Sequence, residues 1–325
     1  EMETAKFSPA KTSEPAGQPT KLSRSVPLPS RRSLKLVGLV AIMLILGVGL
    51  GWFYFFRGAD DGETSNSIAV LPFANLSGDA NLEYLSDGIP ETIINNLSQL
   101  PRLKVMSRAS TFRYKGREID PLEIGRVFNV RTVLFGQLVK QGNDLVVKLE
   151  LVDTREGQHI WGGQFPRTIP DMLALQAMIS QEVLQKLRPK LSGDEKQRVT
   201  QHQTVNPEAY QSYLKGRFYM NQLTEVGLKR GIEYFNQALA KDPDYALAYA
   251  GLSYCYVVLG SNYKPAREVI PSAKVYAQKA LALDDALADA YYTMAGISYG
   301  FDWDWAKVEQ ETQRTLELNP NHADA

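Results

Sequence analysis

The hydrophobic positions of this chain follow three different patterns. Leu36 to Phe56 is an unbroken apolar run of 21 residues without a charged side chain, and a helix needs roughly 20 such residues to cross a hydrocarbon core. The run ends in Trp52, Phe53, Tyr54, Phe55 and Phe56, rings that favour a membrane interface. It predicts one transmembrane helix over 34–57. From Ser67 the apolar segments become short. Ser67–Phe73 reads as a buried strand closed by Pro72, and Leu82–Leu100 as a helix with Ile89, Ile93, Leu97 and Leu100 a turn apart. Leu103–Ser107 reads as a strand, and Pro121–Phe128 as a short helix with Pro in its first turn. Thr132–Lys140, Leu145–Asp153 and Gln158–Phe165 form a predicted three-strand meander, separated by Gly142-Asn143 and Glu156-Gly157. A helix over Asp171–Leu187 follows, and from Asn206 the pattern is helical throughout.

Basic residues crowd one side of the apolar run. Lys21, Arg24, Arg31, Arg32 and Lys35 precede it, whereas Arg57 and then Asp60, Asp61 and Glu63 follow. Lys and Arg stay cytoplasmic, so the expectation is a single pass through the inner membrane with the N-terminus cytoplasmic and the rest periplasmic. A signal peptide would have an apolar core of about 7–15 residues near the start, and this run is longer and later. Residues 1–33 are rich in Ser, Thr, Pro, Lys and Arg without apolar periodicity, which predicts a disordered juxtamembrane segment. The chain opens on Glu1 rather than Met, so a cytoplasmic domain is expected upstream. Gly47 and Gly51 make a Gly-x-x-x-Gly pair, and this face is expected to dimerise the protein.

After a spacer over 58–66, residues 67–201 read as one α/β domain. The segments Ile68–Asp79 (IAVLPFANLSGD), Tyr84–Arg108 (YLSDGIPETIINNLSQLPRLKVMSR) and Leu151–Phe165 (LVDTREGQHIWGGQF) carry a resemblance. They resemble the TolB-like N-terminal domain of bacterial envelope and signalling proteins, which implies an α/β fold and no established catalytic residues. The acidic residues Asp79, Glu83, Asp87 and Glu91 could hold paired carboxylates for acid–base work. Asp87 and Glu91 lie at i, i+4 near a helix start, so capping and solvation are expected to account for them.

Residues 206–325 contain three recurring segments: Gly231–Pro243, Ala273–Asp285 and Val308–Pro320. Each follows a Tyr-rich helical stretch, notably Ala246–Tyr256. This resembles the tetratricopeptide repeat, helix–turn–helix units of about 34 residues with small residues where the helices touch. Ala238 and Ala280 occupy that position, Thr315 replaces it in the third copy, and Ser261–Ser272 reads as an inserted loop. The chain stops where a fourth repeat would open, so the array is expected to continue. The resemblance implies a concave groove that binds a protein or peptide, and the register places Arg217, Met220, Asn221, Leu247, Tyr254 and Val258 on it.

Composition narrows the function. Formal net charge is +0, so no global field draws the chain to nucleic acid, and the three histidines are too scattered for a metal site. The single cysteine, Cys255, has no evident His and Asp partners and reads as a small buried hydrophobe. Walker loop, nucleophile elbow, zinc-binding helix and dinucleotide fingerprint are all missing, so the chain is read as non-enzymatic, with no cofactor. The expected fold class is one transmembrane helix, a TolB-like α/β domain and an all-α tetratricopeptide solenoid. The whole is read as a membrane-anchored sensor or scaffold in bacterial signalling that binds protein. Segments Tyr210–Arg217 and Phe301–Trp305 are similar to the C-terminal half of bacterial receptor-type serine/threonine kinases. The outward half also resembles that of membrane-bound winged-helix transcription regulators, and a purely structural scaffold is a third reading.

Overall fold

The computed structural model describes residues 66–118, 120–141, 144–168, 171–187 and 204–325. The apolar run at 36–56, with Gly47 and Gly51, lies outside the described residues, as does segment 1–33. No helix among the described residues is long and apolar enough to cross a membrane. The longest of them, Ala266–Leu283, carries four charged residues, Arg267, Glu268, Lys274 and Lys279. The expected fold class is therefore corrected: the structure is a mixed α/β sheet domain followed by an all-helical region, without a membrane-spanning helix among the described residues.

The sheet is built around β1 (Ser67–Val70), which runs parallel to β3 (Lys104–Val105) on one side and β4 (Thr132–Gln141) on the other. β2 (Ala74–Leu76) also lies parallel to β4, while β5 (Asp144–Asp153) and β6 (Gln158–Arg167) extend the sheet as antiparallel neighbours. Side chains alternate faces along each strand. Ile68, Val70, Leu134 and Leu138 point to one core, and Ala69, Leu71 and Val133 to the other. The first core is covered by α1 (Glu83–Ser98) and α4 (Met172–Leu187). The second is covered by α3 (Pro121–Phe128), beyond the short α2 (Arg108–Thr111).

A proline inside α1 is accommodated by this topology. Pro90 cannot donate to the carbonyl four residues back. That carbonyl, Ser86 O, instead accepts from the Phe73 N–H at 3.0 Å, just past β1. The helix and the strand end thus satisfy each other's orphaned backbone groups.

The helical region forms three consecutive pairs: α5 (Pro207–Met220) with α6 (Glu225–Lys241), α7 (Ala246–Asn262) with α8 (Ala266–Leu283), and α9 (Ala288–Ile297) with α10 (Trp305–Leu318). Asn206 caps α5 by accepting from the N–H groups of Glu208 and Ala209, and Thr224 caps α6 through Gly227 N–H. The expected loop over Ser261–Ser272 is mostly helix: only residues 263–265 separate α7 from α8, and Pro271 sits inside α8. One forfeited backbone bond early in the helix is offset by the buried Ile270 and Ala273 on either side of it. The crossing positions Ala238, Ala280 and Thr315 are all fully buried, and the Thr315 hydroxyl donates to Glu311 O at 2.8 Å. Phe235 is the centre of the first two pairs. A Cβ on Gly216 would stand 2.6 Å from its ring, and one on Gly251 only 2.5 Å. Glycine on both sides is what lets α5 and α7 close on it.

Candidate functional site

The sheet domain and the helical region meet along α1 and α5 and share a continuous core. The meeting has two chemically different halves. At the N-terminal half of α5 the contact is tight. Leu214 packs against Gly88, where a Cβ would lie 3.0 Å from it. Tyr210, itself buried, donates its hydroxyl to Gln176 Oε1 of α4 at 2.7 Å, and Gln211 Nε2 donates to the Tyr84 hydroxyl at 2.8 Å.

At the C-terminal half of α5 the contact is polar. Glu91 of α1 is 3% exposed, yet its carboxylate is held on both oxygens. Oε1 accepts from Arg217 Nε at 2.8 Å and from Arg217 Nη2. Oε2 accepts from Asn221 Nδ2 at 2.8 Å and from Arg108 Nε at 3.1 Å. Arg217 and Asn221 lie one turn apart on α5, so a single helix face supplies both. Arg217 also reaches toward Asp289 of α9, with Nη1 3.5 Å from Oδ2, while the Arg108 guanidinium lies 4.1 Å above the Phe112 ring. Beyond the end of α10, Asn321 reads the sheet edge. Its Oδ1 accepts from Val105 N–H at 3.2 Å, and its Nδ2 donates to Leu103 O at 2.9 Å and Ser98 O at 3.0 Å. Between these contacts lies a groove of about 360 Å³, lined by Glu91, Arg108, Arg217, Asn221, Tyr254 and Asp289 among others.

Burial alone would push the Glu91 carboxyl up, but the charges of Arg217 and Arg108 and the donated hydrogen bonds overcome it and hold the group below its ordinary value. Asp87, one turn earlier, goes the other way. Burial outweighs its pairing with Lys115, whose Nζ stands 2.7 Å from Oδ1, and its pKa is raised. A carboxylate with a depressed pKa contributes stability that is complete above the unfolded value, about 4.3, and lost as pH falls through the folded value. Unfolding free energy is therefore expected to drop through Glu91 as pH falls below its unfolded value of about 4.3, with Asp87 opposing. Urea midpoints measured as pH falls through that value should fall less steeply in Glu91→Gln than in the wild type.

The structure brings Arg217, Met220, Asn221 and Tyr254 to the groove wall, although Met220 is 4% exposed and belongs to the shared core. Leu247 and Val258 are half-buried packing residues away from it, Leu247 lining a separate cavity of about 40 Å³. The concave side is not empty, because α1 and β3 sit against it. The expectation that capping and solvation account for the acidic quartet holds for Asp79, which accepts from Asn81 N–H at 2.9 Å. It fails for Asp87 and Glu91, both buried. The sequence offers little warning, because Leu85, Ile89, Ile93, Ile94 and Leu97 lie within one half of the α1 circumference and Asp87 and Glu91 on the other. Cys255 is buried, and desolvation pushes its thiol up to about 12, as befits a small hydrophobe rather than a nucleophile.

With this geometry in place, similarity to known proteins can be located on it. Residues 64–182 match the family model described as HilA/YgeH-like transcriptional regulator, second domain. A protein named putative adenylate cyclase 3, from Rhizobium meliloti (strain 1021), is 32% identical over 233 residues, which is 70% of this chain and 39% of that protein. The transcriptional regulator HilA of Salmonella typhimurium is 25% identical over 225 residues, covering 68% of this chain and 39% of its own length. The chain thus spans about two fifths of the length of these curated relatives. Among solved structures, TolB from Acinetobacter baumannii is similar with 16% identity and a TM-score of 0.29, over 39% of this chain and 29% of that one.

Proposed function

We propose that this chain is the regulatory input portion of a larger signalling protein, and that it receives a protein or peptide ligand between its sheet domain and its helical pairs. One observation carries the reading. Two relatives with different named outputs, a putative adenylate cyclase and a transcriptional regulator, match stretches that each span about seven tenths of this chain and so must overlap. A portion common to both is best read as what the outputs share, control rather than chemistry. On this reading catalysis and DNA binding fall to other parts of such proteins, and none of the residues described here takes a catalytic role. The paired helices, with buried small residues at Ala238 and Ala280, support a tetratricopeptide-like array as the ligand-binding element. Arg217, Asn221 and Tyr254 supply charge, amide and ring to the groove.

The reading is tested by grafting residues 64–325 in place of the matching portion of the HilA-type regulator and measuring transcription from its target promoter. The graft should restore an output that Arg217→Ala changes. Output no different from a deletion of that portion, with and without Arg217→Ala, would refute it.

A further inference from the structure

The two halves of the α1–α5 seam differ in a way that assigns them different mechanical roles. The Tyr210–Leu214 half is interdigitated and continuous with the core, and it borders only a small cavity of about 40 Å³. The other half consists of charge-assisted hydrogen bonds on Glu91 and the three amide contacts of Asn321, and it borders the groove rather than packed side chains. Apolar packing resists separation because every atom parted loses a neighbour. Polar contacts beside a cavity can instead trade partners with water. Packed cores and interfaces switch between discrete arrangements rather than deforming continuously.

We propose that the seam is a hinge at Tyr210 and Leu214 and a latch at Glu91 and Asn321, about which the three helical pairs pivot as one body away from α1 and β3. Opening frees the Arg217 and Asn221 side chains and enlarges the groove, which gives a ligand a way to alter the relation of the array to the sheet. Arg217 couples the two sides because it holds Glu91 of α1 while approaching Asp289 of α9. The use of the latch in signalling rests on the regulatory reading above, whereas the opening itself does not.

The test is a spin-label distance measurement in the full chain, with labels on Leu76→Cys in β2 and Val275→Cys in α8. Both positions are more than half exposed, and the buried native thiol of Cys255 stays unlabelled. The unsubstituted seam should give one narrow distance. Glu91→Gln, and separately Asn321→Ala, should add a second, longer population, while Tyr210→Phe at the hinge should lower stability without adding one. Should Glu91→Gln fail to fold, Asn321→Ala decides alone. An unchanged narrow distance in the latch variants, or the same long population in Tyr210→Phe, overturns the proposal. A latch that opens while the promoter graft stays silent keeps the hinge and removes the regulatory reading instead.

Discussion

Glu91→Ala lowers the unfolding free energy by about 3–5 kcal/mol, the usual cost of removing one partner from a buried ion pair. The magnitude follows from what is left behind. Arg217, whose side chain is 16% exposed, keeps its charge with, among the described residues, Asp289 at 3.5 Å as its remaining ion-pair partner. Arg108 loses the carboxylate that fixes it over Phe112. Asn221 loses the acceptor of its amide. The cost lies in orphaned donors more than in lost attraction, so the double variant Glu91→Ala/Arg217→Ala should be less destabilised than the sum of its parts. A double-mutant cycle from urea titrations gives that coupling directly.

Phe235→Ala is expected to cost a similar amount, about 3–5 kcal/mol, for a different reason. Phe235 is fully buried, with Gly216 and Gly251 opposite its ring and Tyr213 at a centroid distance of 5.9 Å. Neither glycine has a side chain that can move into the space, so the void stays open and the transfer and cavity terms add. Gly251→Ala perturbs the same contact from the other side and should cost about 1–3 kcal/mol by overpacking. Thermal and urea unfolding of both variants, with the slope against denaturant unchanged, would attribute the loss to the native state.

Much of this architecture is legible from local pattern. The alternation of Val147, Leu149 and Leu151 with Lys148 and Glu150 predicts β5, and Gly157, at φ +66°, sits in the turn before β6. The repeated Ala238 and Ala280 predict where helices cross. β2 escapes notice because Ala74–Leu76 is three residues with its outer positions exposed, too short to show a period. The inserted loop is misread because Pro271 signals a break, while the burial of Ile270 and Ala273, which outweighs it, depends on neighbours distant in sequence. The seam is the clearest limit. Spacing places Arg217 and Asn221 one turn apart on a single face of α5, but their common partner lies 126 and 130 positions upstream. Nothing local distinguishes a solvated glutamate at i+4 from Asp87 from one with two guanidinium groups closed over it.

The central claim is that the sheet domain and the helical pairs are one folded unit joined at the α1–α5 seam. Native-state hydrogen exchange tests it most directly, by comparing the slowest amides of β4 with the slowest amides of α6. The account predicts a single opening free energy for both sets, lowered by the same amount in Glu91→Ala. Two distinct free energies in the wild type, or a Glu91→Ala effect confined to the sheet, would contradict it.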